Sequence, residues 1–138
     1  MTLRQATCVA IAGRAVLIEG VSGSGKSSLA LALLDRGAVL VGDDGVVLEV
    51  SGGRLIAQTP PNTAGMIEVR NLGILTRPTQ ENVPVALVLI LDADAPRFID
   101  EAEHIEIAGI TLPMIRLFPD SPVLHLRAEL ALERYGLS

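Results

Sequence analysis

The sequence predicts an α/β fold: one strand-rich, mixed-sheet domain over residues 1–138, with a glycine-rich loop and two main helices. Three observations support this. Short β-branched apolar runs recur between glycine turns. Only residues 25–37 and 121–136 show helical periodicity with end signals. The stretch GVSGSGKSS joins an apolar run to the first helical segment and matches G-x-x-x-x-G-K-[ST].

In chain order, residues 7–13 and 14–20 form a hairpin meeting at Gly13-Arg14, whose second strand feeds the loop. The helix over residues 25–37 carries Leu29, Ala30, Ala32, Leu33 and Leu34 at helical spacing, and Gly37 closes it. Residues 38–44 read as a buried strand ending in Asp43 and Asp44. Residues 46–58 turn at Ser51-Gly52-Gly53, residues 59–65 are loop, and a strand begins at residue 66. The polar stretch 76–82 reads as a mobile link to a central strand at 84–92. A second hairpin, residues 104–117, turns at Ala108-Gly109. The last helix starts at Ser121-Pro122 and ends at Gly136, with an apolar stripe of Val123, Leu126, Leu130 and the neighbouring alanines.

The composition narrows the function classes. Apolar residues make up 49 % and charged residues 20 %, which is globular. A net charge of −5 argues against nucleic acid as partner. Aromatics are 2 %, so a bound adenine would rest on aliphatic and backbone groups. No apolar run is long enough to span a membrane. The single cysteine, Cys8, forms no internal disulfide, reads as a small buried side chain and fits a reducing, cytoplasmic setting. Two scattered histidines, His104 and His125, read as surface or cap residues, and no zinc pattern is present.

The loop residues Gly20, Val21, Ser22, Gly23, Ser24, Gly25, Lys26, Ser27 and Ser28 are the candidate phosphate cradle. Backbone N–H groups and a helix N-terminus attract phosphate oxygens, Lys26 reaches the terminal phosphates, and the Ser27 hydroxyl suits Mg²⁺. Asp43 and Asp44 fit a metal-organising carboxylate or a base. Neighbouring strand residues point to opposite faces, so one of them aims at the phosphates. A plain Asp44-Gly45 turn is the other reading. Glu68 and Arg70, two apart on a strand, share a face. They make either a structural salt bridge or a metal-binding carboxylate beside a phosphate-handling arginine.

Together, GVSGSGKSSLALALLDRGAVLVGDD and MIEVRNLGI resemble the catalytic domain of the HPr kinase/phosphorylase family, in its short form, from residue 4 to 75. The phosphoenolpyruvate carboxykinases share a related loop architecture. The resemblance implies ATP or pyrophosphate as donor, Mg²⁺ as cofactor, and a serine of an HPr-like phosphocarrier protein as acceptor. It implies the reverse reaction with inorganic phosphate, and assembly into homo-oligomers in longer members. It assigns Lys26 to phosphate binding, Ser27 and Glu68 to Mg²⁺, Asp44 to acid/base catalysis with Asp43 beside it, and Arg70 to the signature arginine. Arg97, in DAPRFID, falls at a catalytic arginine after the central strand. Two positions depart from the family pattern: Gln5 stands where a histidine is usual, and Asn71 replaces a glycine after the signature arginine.

Overall fold

A computed structural model describes residues 1–138. In chain order the elements are β1 (Thr2–Arg4), β2 (Thr7–Ile11), β3 (Arg14–Gly20), α1 (Lys26–Asp35), β4 (Val39–Gly42), β5 (Val46–Ser51) and β6 (Arg54–Gln58). After a 3-10 turn at Pro61–Thr63 come β7 (Met66–Val69), β8 (Gly73–Thr76), β9 (Val83–Leu91), β10 (Glu103–Ile107), β11 (Ile110–Leu117) and α2 (Leu124–Tyr135). No helix is long and apolar enough to cross a membrane.

Nine strands form one mixed sheet, seven of them in the order β1-β5-β6-β9-β3-β2-β4 and two, β10 and β11, off this path. β3 and β9 lie parallel, with Gly20 opposite Leu91. The start of β9 pairs antiparallel with β6, and its end pairs parallel with β11, which carries β10 at its side. β9 is therefore the strand on which the sheet branches. Its run VPVALVLIL is almost wholly buried, as expected for a strand covered on both faces. β7 and β8 form a separate two-stranded sheet.

Strand alternation divides the apolar residues between two cores. On one face, Val9, Val16, Ile18 and Leu89 meet Leu29, Ala30 and Leu33 of α1 and Leu124, Ala128, Ala131 and Leu132 of α2. On the other, Cys8, Ala10, Ala15 and Leu17 meet Val46, Leu48, Leu55 and Ala57, with no helix between them. There the two ends of the sheet pack on each other. Cys8 is fully buried in this second core, and burial pushes its thiol well above the ordinary range. The two helices are also joined by Arg36 Nε to Glu129 Oε1 at 2.8 Å. An exposed pair of this kind is worth about 0–1 kcal/mol, against about 1.5–3 kcal/mol for each large apolar side chain fully buried. Packing on the sheet, not the ion pair, holds the helices.

Several boundaries differ from expectation. The first hairpin turns at Ala12 and Gly13, both at positive φ, one residue earlier than predicted. β1 was not anticipated: a three-residue strand gives too few positions for a period, and its pairing with β5 is supplied by the sheet. α1 ends as predicted. The Ala38 N–H reaches Leu33 O and the Gly37 N–H reaches Leu34 O, a Schellman pair around left-handed Gly37. α2 buries Leu124, Ala128, Ala131 and Leu132, while Leu130 is 60 % and Val123 39 % exposed. The alanines of the predicted stripe lie on the packed face, whereas Val123 and Leu130 turn away from it. Residues 76–82 are tied down: Thr79 bridges Leu40, and the Gln80 N–H donates to Leu40 O at 3.0 Å.

Candidate active site

The loop between β3 and α1 opens on a polar cavity of about 480 Å³. Ser22, Gly23, Gly25, Lys26, Ser27 and Ser28 line one wall. Thr7, Asp43 and Asp44 line the second, and Glu68, Val69, Arg70, Asn71 and Gly73 the third. Thus the phosphate loop, the acid pair and the Glu-x-Arg segment, far apart in sequence, face one space. Gly20, Val21 and Ser24 belong to the loop but do not line it.

The loop's geometry follows from its glycines and its lysine. Gly25 precedes α1 at φ 99°, a left-handed conformation that a Cβ would disfavour. No acidic residue or side-chain cap occupies the first turn of α1, so its N–H groups remain free for an anion. Lys26 Nζ donates to the carbonyls of Gly20 at 2.9 Å and Val21 at 3.1 Å, which folds the loop around its own ammonium group. Behind the loop, Glu19 forms a two-pronged, part-buried ion pair with Arg4 that also holds the Arg4 guanidinium above its ordinary pKa. The residue before Gly20 is thereby fixed. Neither Arg4 nor Glu19 was singled out from the sequence, because their pairing runs through β1.

The acid pair is arranged differently from a strand end with alternating side chains. β4 stops at Gly42, and Asp43 and Asp44 lie beyond it in a bend. Asp44 takes φ 57°, a left-handed state that Asp tolerates better than most residues. Its carboxylate is exposed to the cavity and has no protein partner. Asp43 is fully engaged. Its Oδ1 accepts from Ser27 Oγ at 2.7 Å and Thr7 Oγ1 at 3.1 Å, and its Oδ2 accepts from the Glu68 N–H at 3.0 Å. One carboxylate therefore ties together β2, α1 and β7.

Glu68 lies on β7, but Arg70 does not share its strand face. β7 ends at Val69, and Arg70 sits in the turn that the Leu72 N–H closes onto Val69 O at 3.0 Å. Asn71 occupies that turn at φ 75°, so asparagine keeps the left-handed conformation that a glycine would supply. Of the two readings of Glu68 and Arg70, the salt bridge is absent from the ion pairs of the structure; both residues face the cavity. Arg97 is exposed in the segment after β9 and does not line the cavity, although that segment starts beside the loop where Leu91 pairs with Gly20. Gln5 is exposed between β1 and β2, also outside the cavity lining. Sequence reasoning missed Thr7. Its only signal was a hydroxyl within an apolar strand.

The donor set suits a hard cation shared with phosphate. No group of three or more His, Cys, Asp and Glu side chains could enclose a metal by itself. Mg²⁺ needs only one or two protein oxygens when phosphates and water supply the rest. Ser27 and Glu68, beside the Lys26 cradle, meet that requirement.

Residues 1–80 match the family described as HPr Serine kinase C-terminal domain. The HPr kinase/phosphorylase of Clostridium tetani is 48 % identical over 71 residues, covering 51 % of this chain and 23 % of that protein. The HPr kinase/phosphorylase of Clostridium acetobutylicum is 35 % identical over 146 aligned residues, covering 94 % of this chain and 48 % of that protein. This chain thus spans about half the length of that relative. The solved structure of the Hpr(Ser) kinase/phosphatase from Coxiella burnetii superposes with a TM-score of 0.86 at 28 % identity, over 96 % of this chain and 95 % of that one. With a loop, an acid pair and a Glu-x-Arg hairpin around one cavity, and with this match over more than half its length, the chain belongs to the HPr serine kinase C-terminal domain family.

Proposed function

We propose that the chain is a serine kinase/phosphorylase that moves a phosphoryl group from ATP, or pyrophosphate, to a serine of an HPr-like phosphocarrier and reverses the transfer with inorganic phosphate. The observation that carries this reading is the division of labour between the acids. Asp43 is consumed by three hydrogen bonds, whereas Asp44 presents an unpartnered carboxylate to the cavity that Lys26 and Ser27 line. A cradle for phosphate faced by one free base is what in-line transfer to a hydroxyl requires.

In the forward direction the acceptor serine oxygen attacks the terminal phosphorus. The new O–P bond forms as the bond to the leaving phosphate oxygen breaks, and Asp44 takes the serine proton. In reverse, Asp44 takes the proton of inorganic phosphate, whose oxygen attacks the phosphoserine phosphorus; the bond to the serine oxygen breaks, that oxygen takes the proton from Asp44, and pyrophosphate is the product. Lys26 and the first N–H groups of α1 hold the phosphate oxygens, and Arg70 faces the same space. When bound through Ser27 and Glu68, Mg²⁺ supplies charge neutralisation on the transferred group. A protein acceptor fits the rim, where Leu72 and Ile74 of the β7–β8 hairpin are 72 % and 58 % exposed.

The test is incubation with Mg-ATP and an HPr-like protein, followed by mapping of the phosphate by mass spectrometry. Phosphoserine on that protein is the expected product. Phosphohistidine, or no product, overturns the reading, and phosphate on another protein redirects it to a divergent kinase with a different acceptor. A second reading, a nucleotide-sensing module with weak catalysis, is favoured by Gln5 standing in the histidine position. Because Asp44 already supplies the base, Gln5→His is expected to change the forward rate less than about tenfold, far from the roughly 10²–10⁴-fold worth of a general base. A rise of that larger size would favour the sensing module instead.

A further inference from the structure

Thr7 is 1 % exposed, and its neighbours in the buried run, Ala6, Cys8 and Val9, are all apolar and fully buried. A hydroxyl at such a place is unfavourable unless it is hydrogen-bonded. A hydroxyl has one proton to donate and lone pairs to accept with. Thr7 uses both on consecutive acids: Oγ1 donates to Asp43 Oδ1 at 3.1 Å and accepts from the Asp44 N–H at 3.4 Å. The two bonds act on different parts of the acid pair. One holds the Asp43 side chain inward against α1 and β7. The other holds the backbone of Asp44, the residue kept at φ 57°. A non-glycine residue stays in that region only when its surroundings over-determine it.

We propose that Thr7 is a positioning residue that orders the acid pair, keeping Asp43 in its structural role and the Asp44 carboxylate free toward the cavity. Threonine suits this role better than serine, because its branched Cβ restricts χ1 and so the direction of the hydroxyl. The strand β2 delivers it, pinned between β3 and β4, so the aim of Asp44 is referenced to the sheet.

The inference rests on Asp44 being the base in the proposed reaction, and two measurements separate the two ideas. The first is kinetic. Thr7→Val keeps shape and removes the hydroxyl. It is expected to lower kcat by about 10–100-fold, typical of a residue that orients a reacting group, with KM for Mg-ATP changed only a few-fold. Thr7→Ser is expected to recover most of that loss. In an Asp44→Asn background, Thr7→Val should cost little more, since both act through the same group. Equal loss in kcat and KM together with a lowered Tm, or a full additional loss on top of Asp44→Asn, overturns the proposal in favour of a packing role. The second measurement needs no activity: amide hydrogen exchange at Asp44, read by NMR. Exchange should quicken in Thr7→Val and stay near wild type in Thr7→Ser. Unchanged exchange in Thr7→Val overturns the positioning role even if transfer is found. Absence of transfer in the wild-type chain with quickened exchange in Thr7→Val overturns the proposed reaction and leaves Thr7's role standing.

Discussion

Asp44→Asn is expected to reduce phosphotransfer by about 10²–10⁴-fold in both directions, the usual worth of a general acid/base, while nucleotide affinity changes only a few-fold. The substitution is chosen for its backbone. Asparagine tolerates the left-handed conformation at least as well as aspartate, so the bend that holds φ 57° at this position survives. The amide keeps its size and can still hydrogen-bond, but it cannot take a proton from serine. The affinity should hold because Lys26 is held by the Gly20 carbonyl, and Ser27 by Asp43, which also accepts from the Glu68 N–H, all without using the Asp44 carboxylate. Steady-state kinetics with a fluorescent-nucleotide titration reads both quantities. Parallel loss of affinity and rate would assign Asp44 to binding, and an unaffected rate would remove it from the chemistry.

Gly42→Ala is expected to be the most damaging change of a single methyl group outside the loop. A Cβ on Gly42 would lie 2.1 Å from the carbonyl oxygen of Gly45 and 3.3 Å from Pro60 Cδ. The first contact is with backbone, so no rotamer relieves it, and the bend carrying Asp43 and Asp44 must open. Overpacking of this kind costs about 1–3 kcal/mol, or a Tm lower by about 3–10 °C for a chain of this size. The activity loss should be larger than that stability loss implies. Asp43 meets Thr7, Ser27 and Glu68 at once, and misplacement of a catalytic segment by about 1 Å can cost roughly 10²-fold. Gly45→Ala is the control, because its Cβ would meet only Leu3 Cδ1 at an ordinary 3.7 Å. Calorimetry and kinetics on the two variants should separate them clearly. Similar behaviour would show that the close approach at Gly42 does not set the bend.

The chain's punctuation was legible in its residues. Gly52-Gly53 and Ala108-Gly109 turn their hairpins as read, Gly37 caps α1, and the apolar run ending at Leu91 is the branching strand of the sheet. These features are local, so spacing and turn chemistry suffice. What escaped depends on contacts made across the fold. Thr7 looked like an ordinary β-former, since only the arrival of Asp43 from β4 gives its hydroxyl a purpose. Asp43 and Asp44 were recognisable as a pair, but a strand pattern could not tell which was spent and which was free. The left-handed backbone at Asp44 decides that. Arg70 was read onto a strand because its neighbours are apolar, whereas Asn71 ends the strand one residue earlier. On α2 the alanines were read onto the packed face, but helical spacing alone could not tell that Leu124 and Leu132 are buried while Leu130 is exposed.

The branching position of β9 separates two kinds of kinship. Residues 1–80 carry the loop, both acids, Glu68 and Arg70, and they are the part that matches the family. They do not contain the strand that stands between β6 and β3 and sets Leu91 against Gly20. The portion that the family model matches therefore holds the whole cavity lining but not the strand on which its sheet is built. The second half of the chain delivers that long apolar strand, a hairpin beside it and a helix across it. The second half of the chain is thus a footing and not a wall: no residue beyond Gly73 lines the cavity, yet the strand that seats the loop at Gly20 comes from there.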